Sequence, residues 1–193
     1  MSSFKNLLGK VILEIPAVII AVFLALAVNN CNQERQLEKA AKKTLEAILL
    51  EVESNKSSLA NNIKDNKQNE EAILLMKDSM ELNINGKWEA NLQLGYEQTF
   101  LSTAAWEMAQ ITGATQQFDA AMVQQLSLIY DLQEMYIEQG DHFFKQMASV
   151  DFHLVAEQSP KAQLEATLAL IRIAESIGMA TIEQYDQFIK AYQ

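Results

Sequence analysis

Apolar positions first come as one solid run, VILEIPAVIIAVFLALAV over residues 11–28, broken only by Glu14 and Pro16. At helical rise those eighteen residues reach about 27 Å, just enough to cross the hydrocarbon of a bilayer. Ahead of the run, Phe4, Leu7, Leu8 and Val11 share one helical face with Lys5 and Lys10 off it, the pattern of a short interfacial segment over residues 1–10. Pro16 lacks an amide donor and crowds the carbonyl of Ile12, so a kink is expected at 12–16. Behind the run the pattern turns periodic. Leu45, Ile48, Val52, Leu59, Ile73, Met76 and Met80 recur at spacings of three and four, and no proline interrupts residues 17–159. A transmembrane helix over 11–30 is therefore expected to continue into a long helix over 31–82. The same register puts Asn55, Asn62, Asn66 and Asn69 in the seam. A half-buried helix is the simpler reading, and buried asparagines that set register are the alternative.

Asn83, Ile84, Asn85 and Gly86 read as a turn. Beyond it, Ser102 or Thr103 can cap a helix with Ala104, Ala105, Trp106, Met108, Ala109 and Ile111 in its interior and Gly113 as its stop. Asp119 can cap the next helix, which points Met122, Leu126, Ile129, Leu132, Met135 and Tyr136 inward. Ser159 and Pro160 open the last one, since proline suits a first helical turn. Its seam is Leu164, Leu168, Ile171, Ile182, Tyr185, Ile189 and Tyr192, weak around Glu175 and Gly178, where a bend is allowed. The expected fold class is all-α: a transmembrane helix continuing into a long helix, then an antiparallel helical bundle over 83–193 packing on it.

Composition narrows the function classes. A net charge of −10 repels phosphate backbones and argues against nucleic acid as a partner. The acid is concentrated behind the span, where residues 88–193 hold Lys145, Lys161, Arg172 and Lys190 against fourteen carboxylates. Cys31 is the one cysteine, so neither an intrachain disulfide nor a cysteine-based metal site is available within a single chain.

The apolar run admits three readings. A cleaved signal peptide would use the small residues at Ala25 and Ala27, but the run carries a carboxylate and the helical pattern continues past the cut through Asn32, Gln33, Glu34 and Arg35. Acylation at Cys31 would need a small residue where Asn30 stands. A retained single-pass anchor fits best. Flanking charge divides the orientation, with Lys5, Lys10 and the terminal amine on one side and Arg35, Lys39, Lys42 and Lys43 on the other. That tally mildly favours a cytoplasmic C-terminal region, whereas a basic amphipathic tail that resists translocation and an acidic region that is easily exported place it in the periplasm, the side expected here.

Within the run, Ala17, Ala21 and Ala25 recur every four residues, with Gly9 and Asn29 extending the row. Small residues in such a row let two helices approach closely in lipid. At 100° per residue Glu14 falls within about 20° of Ala21 and Ala25, so Glu14, Ala17, Ala21 and Ala25 form the candidate helix-packing face. Glu14 can also reach headgroups or Lys10 one turn back, and handling of a proton or ion is a third use for an intramembrane acid.

Catalytic and metal chemistry find little support. His142 and His153, eleven residues apart, would stand about 16 Å apart on one helix, too far to share a metal. Glu138 and His142 are neighbours one turn apart, yet no Glu-x-x-His pair occurs, which removes the di-iron carboxylate bundle. Neither a Gly-x-Ser-x-Gly elbow nor a phosphate-cradling glycine loop is present. Trp106 and the Met-rich stretch 108–147 could line a ligand pocket, although such residues are more often core.

Two stretches, EIPAVIIAVFLALAVNNCNQER over residues 14–35 and STAAWEMAQITG over residues 102–113, resemble a group of uncharacterised bacterial single-pass membrane proteins, a domain-of-unknown-function family. The likeness lies in a glutamate-led span with a Leu-Ala-x-x-Asn exit and polar tail, and in an Ala-Trp helix ending in Thr-Gly. Cys31 stands where an aromatic residue is common in that family, and the basic tail is very short. The resemblance implies an inner-membrane anchor with an extracytoplasmic helical domain and carries no catalytic residues. Taken together, the expectation is a membrane-anchored, non-enzymatic helical interaction protein without a cofactor, embedded in the lipid bilayer and self-associating or joined to other membrane protein subunits. A ligand-sensing helical domain reporting through a partner is the alternative.

Overall fold

The computed structural model describes residues 2–82, 98–149 and 160–193, and the side chains of 19–75, 77, 78, 98–145 and 164–193. The chain is all-α. Helix α1 (Ser2–Leu82) packs against α2 (Ala104–Ile111) and α4 (Pro160–Tyr192), and α4 packs in turn on α3 (Ala120–Ser149), with a 3₁₀ turn at Ala114–Gln117. One continuous helix thus runs through the expected interfacial, membrane and membrane-proximal segments. The expected kink at 12–16 lies outside the described side chains, and the expected turn at 83–86 outside the described residues altogether.

Alternating steps of four and three bury Ile48, Val52, Asn55, Leu59, Asn62 and Asn66 along α1, with Ile73 one heptad further on. The half-buried reading of the asparagines fails for three of the four: Asn55, Asn62 and Asn66 are 3–5% exposed, and only Asn69 is half-buried. Their partners are inside the same chain. The Tyr136 hydroxyl donates to Asn62 Oδ1, which also accepts from Asn66 Nδ2 at 3.3 Å.

Helices α1 and α4 run antiparallel in one strict register. Ion pairs join Lys56 to Asp186, Lys67 to Glu175 at 2.9 Å, Glu70 to Arg172 at 2.7 Å and Lys77 to Glu165 at 3.0 Å, so each step up α1 is matched by an equal step down α4. The hydrogen bond from Lys67 and the charge of Glu175 hold the lysine above its ordinary pKa. Exposed pairs of this kind contribute only about 0–1 kcal/mol each, so they select the register more than they stabilise it.

The α4 seam is Leu164, Leu168, Ile171, Ala174, Gly178, Thr181, Tyr185 and Phe188. It passes straight through Gly178, while Ile182, Ile189 and Tyr192, expected in the seam, are half-buried at its flank. Gly178 marks a close approach inside one helix: a Cβ there would stand 2.8 Å from Ile63 Cδ1 and 3.0 Å from Tyr136 Cε2.

On α3, Met122, Leu126, Ile129 and Tyr136 are buried as expected, but Leu132 is half-buried and Met135 is 51% exposed. The inward row instead runs 126, 129, 133, 136, 140 and 143, and so buries Gln133. Three terminal signals hold. Asp119 Oδ1 accepts the Met122 amide at 2.7 Å, Pro160 is the first residue of α4, and Gly113 takes the left-handed backbone (φ 73°) that closes α2.

Below the bundle α1 stands clear of the other described residues. Every residue from 19 to 40 is exposed, and from residue 19 onward Ala41 is the first buried side chain.

Candidate functional site

Two features stand apart from ordinary core packing: a half-buried polar junction around Glu51 and the exposed apolar length of α1. The junction begins with an irregular segment, residues 98–103, which hydrogen-bonds to both α1 and α3. Gln98 Nε2 donates to the Ile137 carbonyl at 3.1 Å and so ties the segment to α3. Asn55 then engages Ser102 as a second peptide group would, donating from Nδ2 to its carbonyl at 2.7 Å and accepting its amide on Oδ1 at 2.9 Å. Gln133 Nε2 reaches the same carbonyl at 3.3 Å from the opposite helix. An irregular backbone half-buried between helices has no ladder to satisfy it, and these side-chain amides take that place.

Glu51 gathers three donors beside it. The Ser102 hydroxyl donates to Oε2 at 2.6 Å, the Ala105 amide to the same oxygen at 2.9 Å, and the Tyr130 hydroxyl to Oε1 at 2.7 Å. Helix α2 is therefore capped across space by a carboxylate from α1, where its free amides and positive dipole end favour an anion. The expected local cap is replaced: Thr103 occupies the N-cap position but donates its hydroxyl to Glu107 Oε1 at 2.6 Å, and Ser102 Oγ meets the Ala104 amide only at 3.4 Å. Trp106 lies flat on Tyr130, with ring centroids 5.5 Å apart and 4° between planes, and both rings are buried.

Burial first, then the hydrogen bond to Glu51 and its charge, push the Tyr130 hydroxyl well above its ordinary pKa. Burial and the charge of Glu51 do the same to Tyr185. Asn55 lies near enough to Tyr185 to offset this slightly, though its amide falls short of hydrogen-bonding geometry with the phenol.

Of the expected site residues, Ala21 and Ala25 are exposed on the free length of α1, and the side chains of Glu14 and Ala17 lie outside the described residues. His142 is exposed, and His153 lies outside the described residues. Among the described residues no group of three or more His, Cys, Asp or Glu side chains could hold a metal ion. Trp106 and Met122 are core, while Met108 and Met135 are exposed, so the described methionines of that stretch do not converge on a pocket. The junction itself, with Glu51, Gln133 and Tyr130, was missed by sequence reasoning. Glu51 sits one position off the seam residue Val52, where a charge ordinarily signals a solvated flank.

Among the described residues no helix is long and apolar enough to cross a membrane. The described part of the apolar run is residues 19–28, and its first eight positions fall where side chains are not described. No protein-family model, curated protein or solved structure matches the chain.

Proposed function

We propose that residues 11–28 hold the chain in a bacterial inner membrane as a single span. The bundle beyond is then a non-enzymatic interaction module, periplasmic, and either self-associating or an accessory subunit of a membrane complex. One observation supports the reading above others: Ile19, Ile20, Val22, Phe23, Leu24, Leu26 and Val28 are 48–69% exposed, around the whole circumference of a helix that touches nothing else in the described chain. In water such side chains forgo part of the roughly 1.5–3 kcal/mol each that full burial returns, and a contiguous apolar stretch of seven marks a surface meant for an apolar surround. An apolar surround removes the penalty, and an all-round apolar helix is the form lipid accepts.

The exposed neck over 29–40 adds a second support. Twelve residues of helix are about 18 Å long. That is about twice the screening length at physiological ionic strength, so the acidic bundle stands clear of anionic headgroups. Ala21 and Ala25 remain open for a second helix in the bilayer.

In membranes from cells expressing the tagged chain, carbonate washing should leave it in the pellet, and release into the supernatant overturns the anchor. Ala21→Leu should weaken self-association in a membrane two-hybrid assay, whereas an unchanged signal removes the alanine face. Labelling of Cys31, which is exposed, with a membrane-impermeant thiol reagent reads the side on which the bundle lies.

A further inference from the structure

We propose that the polar junction between α1, α3 and α4 holds one buried water molecule, bridging Gln133 Oε1 to the Tyr185 hydroxyl. Both residues are fully buried, at 0% exposure. Both of these atoms lack a hydrogen-bond partner among the described residues. Native interiors rarely leave such groups unpaired, because the lost hydration is not recovered.

The two orphans belong to one place. Gln133 is aimed into the junction by its other amide atom, which shares the Ser102 carbonyl with Asn55. The Tyr185 phenol approaches the same group from α4, close enough to feel Glu51, Asn55 and the Tyr130 hydroxyl.

Their chemistry selects the occupant. Gln133 Oε1 can only accept, and the Tyr185 hydroxyl can donate or accept. A water donates one proton to Gln133 Oε1, accepts the Tyr185 proton, and keeps a second proton for a further acceptor. Two to four polar partners is the ordinary coordination of a structural water. An anion is repelled by Glu51. This inference is independent of the membrane reading.

The test is thermal unfolding of the full chain in detergent. Removing a truly unpaired hydroxyl should raise Tm, but removing one that holds a bridging water should lower it. Tyr185→Phe is therefore expected to lower Tm by about 2–4 °C, and the same change in a Gln133→Met background should have no effect. A rise in Tm for Tyr185→Phe, or a loss that persists undiminished beside Gln133→Met, overturns the proposal. So does a wild-type Tm that moves when sodium is exchanged for choline while the Tyr185→Phe variant stays still, since the occupant would then be a cation. Should the Gln133 variant fail to fold, wild-type NMR decides: a water cross-peak to the Gln133 side-chain amide supports the bridge, and its absence overturns it.

Discussion

Glu51 shows how much a single carboxylate can organise when three donors converge on it from different elements. Its oxygens satisfy a hydroxyl and an amide at the start of α2 and a phenol from α3, so truncating it strands three polar groups at once. At about 1–3 kcal/mol per stranded group, Glu51→Ala should cost about 3 kcal/mol or more. Glu51→Gln keeps one carbonyl acceptor and should cost about half as much. Denaturant unfolding measures both, and near-UV circular dichroism of Trp106 in a Trp88→Phe background reports the junction directly, because Trp106 stacks on Tyr130. Equal effects of Gln and Ala would show that the charge, not the hydrogen bonds, holds the cap. Asn55 is as specific: Asn55→Asp keeps the shape, removes the donor to the Ser102 carbonyl and adds charge beside Glu51. It should destabilise more than Asn55→Ala, as judged by the same unfolding curves.

At the scale of elements, α1 and α4 read each other through small and polar positions as much as through leucines. Gly178 lets Ile63 and Tyr136 meet over the α4 backbone, where an added methyl would stand 2.8 Å from Ile63 Cδ1. In an exposed helix, Gly→Ala stabilises by about 0.5–1 kcal/mol. Here Gly178→Ala should lose that gain to overpacking and lower Tm, and Ile63→Val, which removes the crowding methyl, should restore it. If Gly178→Ala raises Tm on its own, the contact yields more easily than its geometry indicates. Seam membership was legible for α1, where Ile48, Val52, Leu59 and Ile73 are buried as their spacing requires. It was misread on α3 and on the second half of α4. There Gln133, Thr181 and Gly178 occupy the buried row while Met135 and Ile182 drift outward. A hydropathy pattern cannot rank a buried glutamine above a methionine, because what admits Gln133 is a carbonyl contributed from another part of the chain.

For the whole molecule, two of the buried phenols predict a sharp alkaline limit. Tyr130 and Tyr185 both have pKa values raised in the folded state, chiefly by burial. Unfolding frees them to lose protons near their ordinary pKa of about 10, so the unfolded chain binds fewer protons above that pH. The stabilisation is complete below about pH 10 and disappears as pH climbs toward the folded values. Tm should therefore be flat from neutrality to about pH 9.5 and fall steeply beyond it, and Tyr185→Phe should make that fall shallower. A Tm profile indifferent to pH 11 would contradict the burial of both hydroxyls.

The helical class, the caps at Asp119 and Pro160, the stop at Gly113 and the seam of α1 follow from the chain alone, because each depends on residues within a turn or two of one another. The solid apolar run over 11–28, which carries the anchor reading, is equally local. What tertiary structure decided is the junction. Glu51 and Ser102 stand 51 positions apart, and Tyr130 lies 79 from Glu51. No periodicity relates residues so distant. Their roles are set by where α2 and the 98–103 segment dock, and a carboxylate or amide becomes structural only once folding has brought a backbone group within its reach.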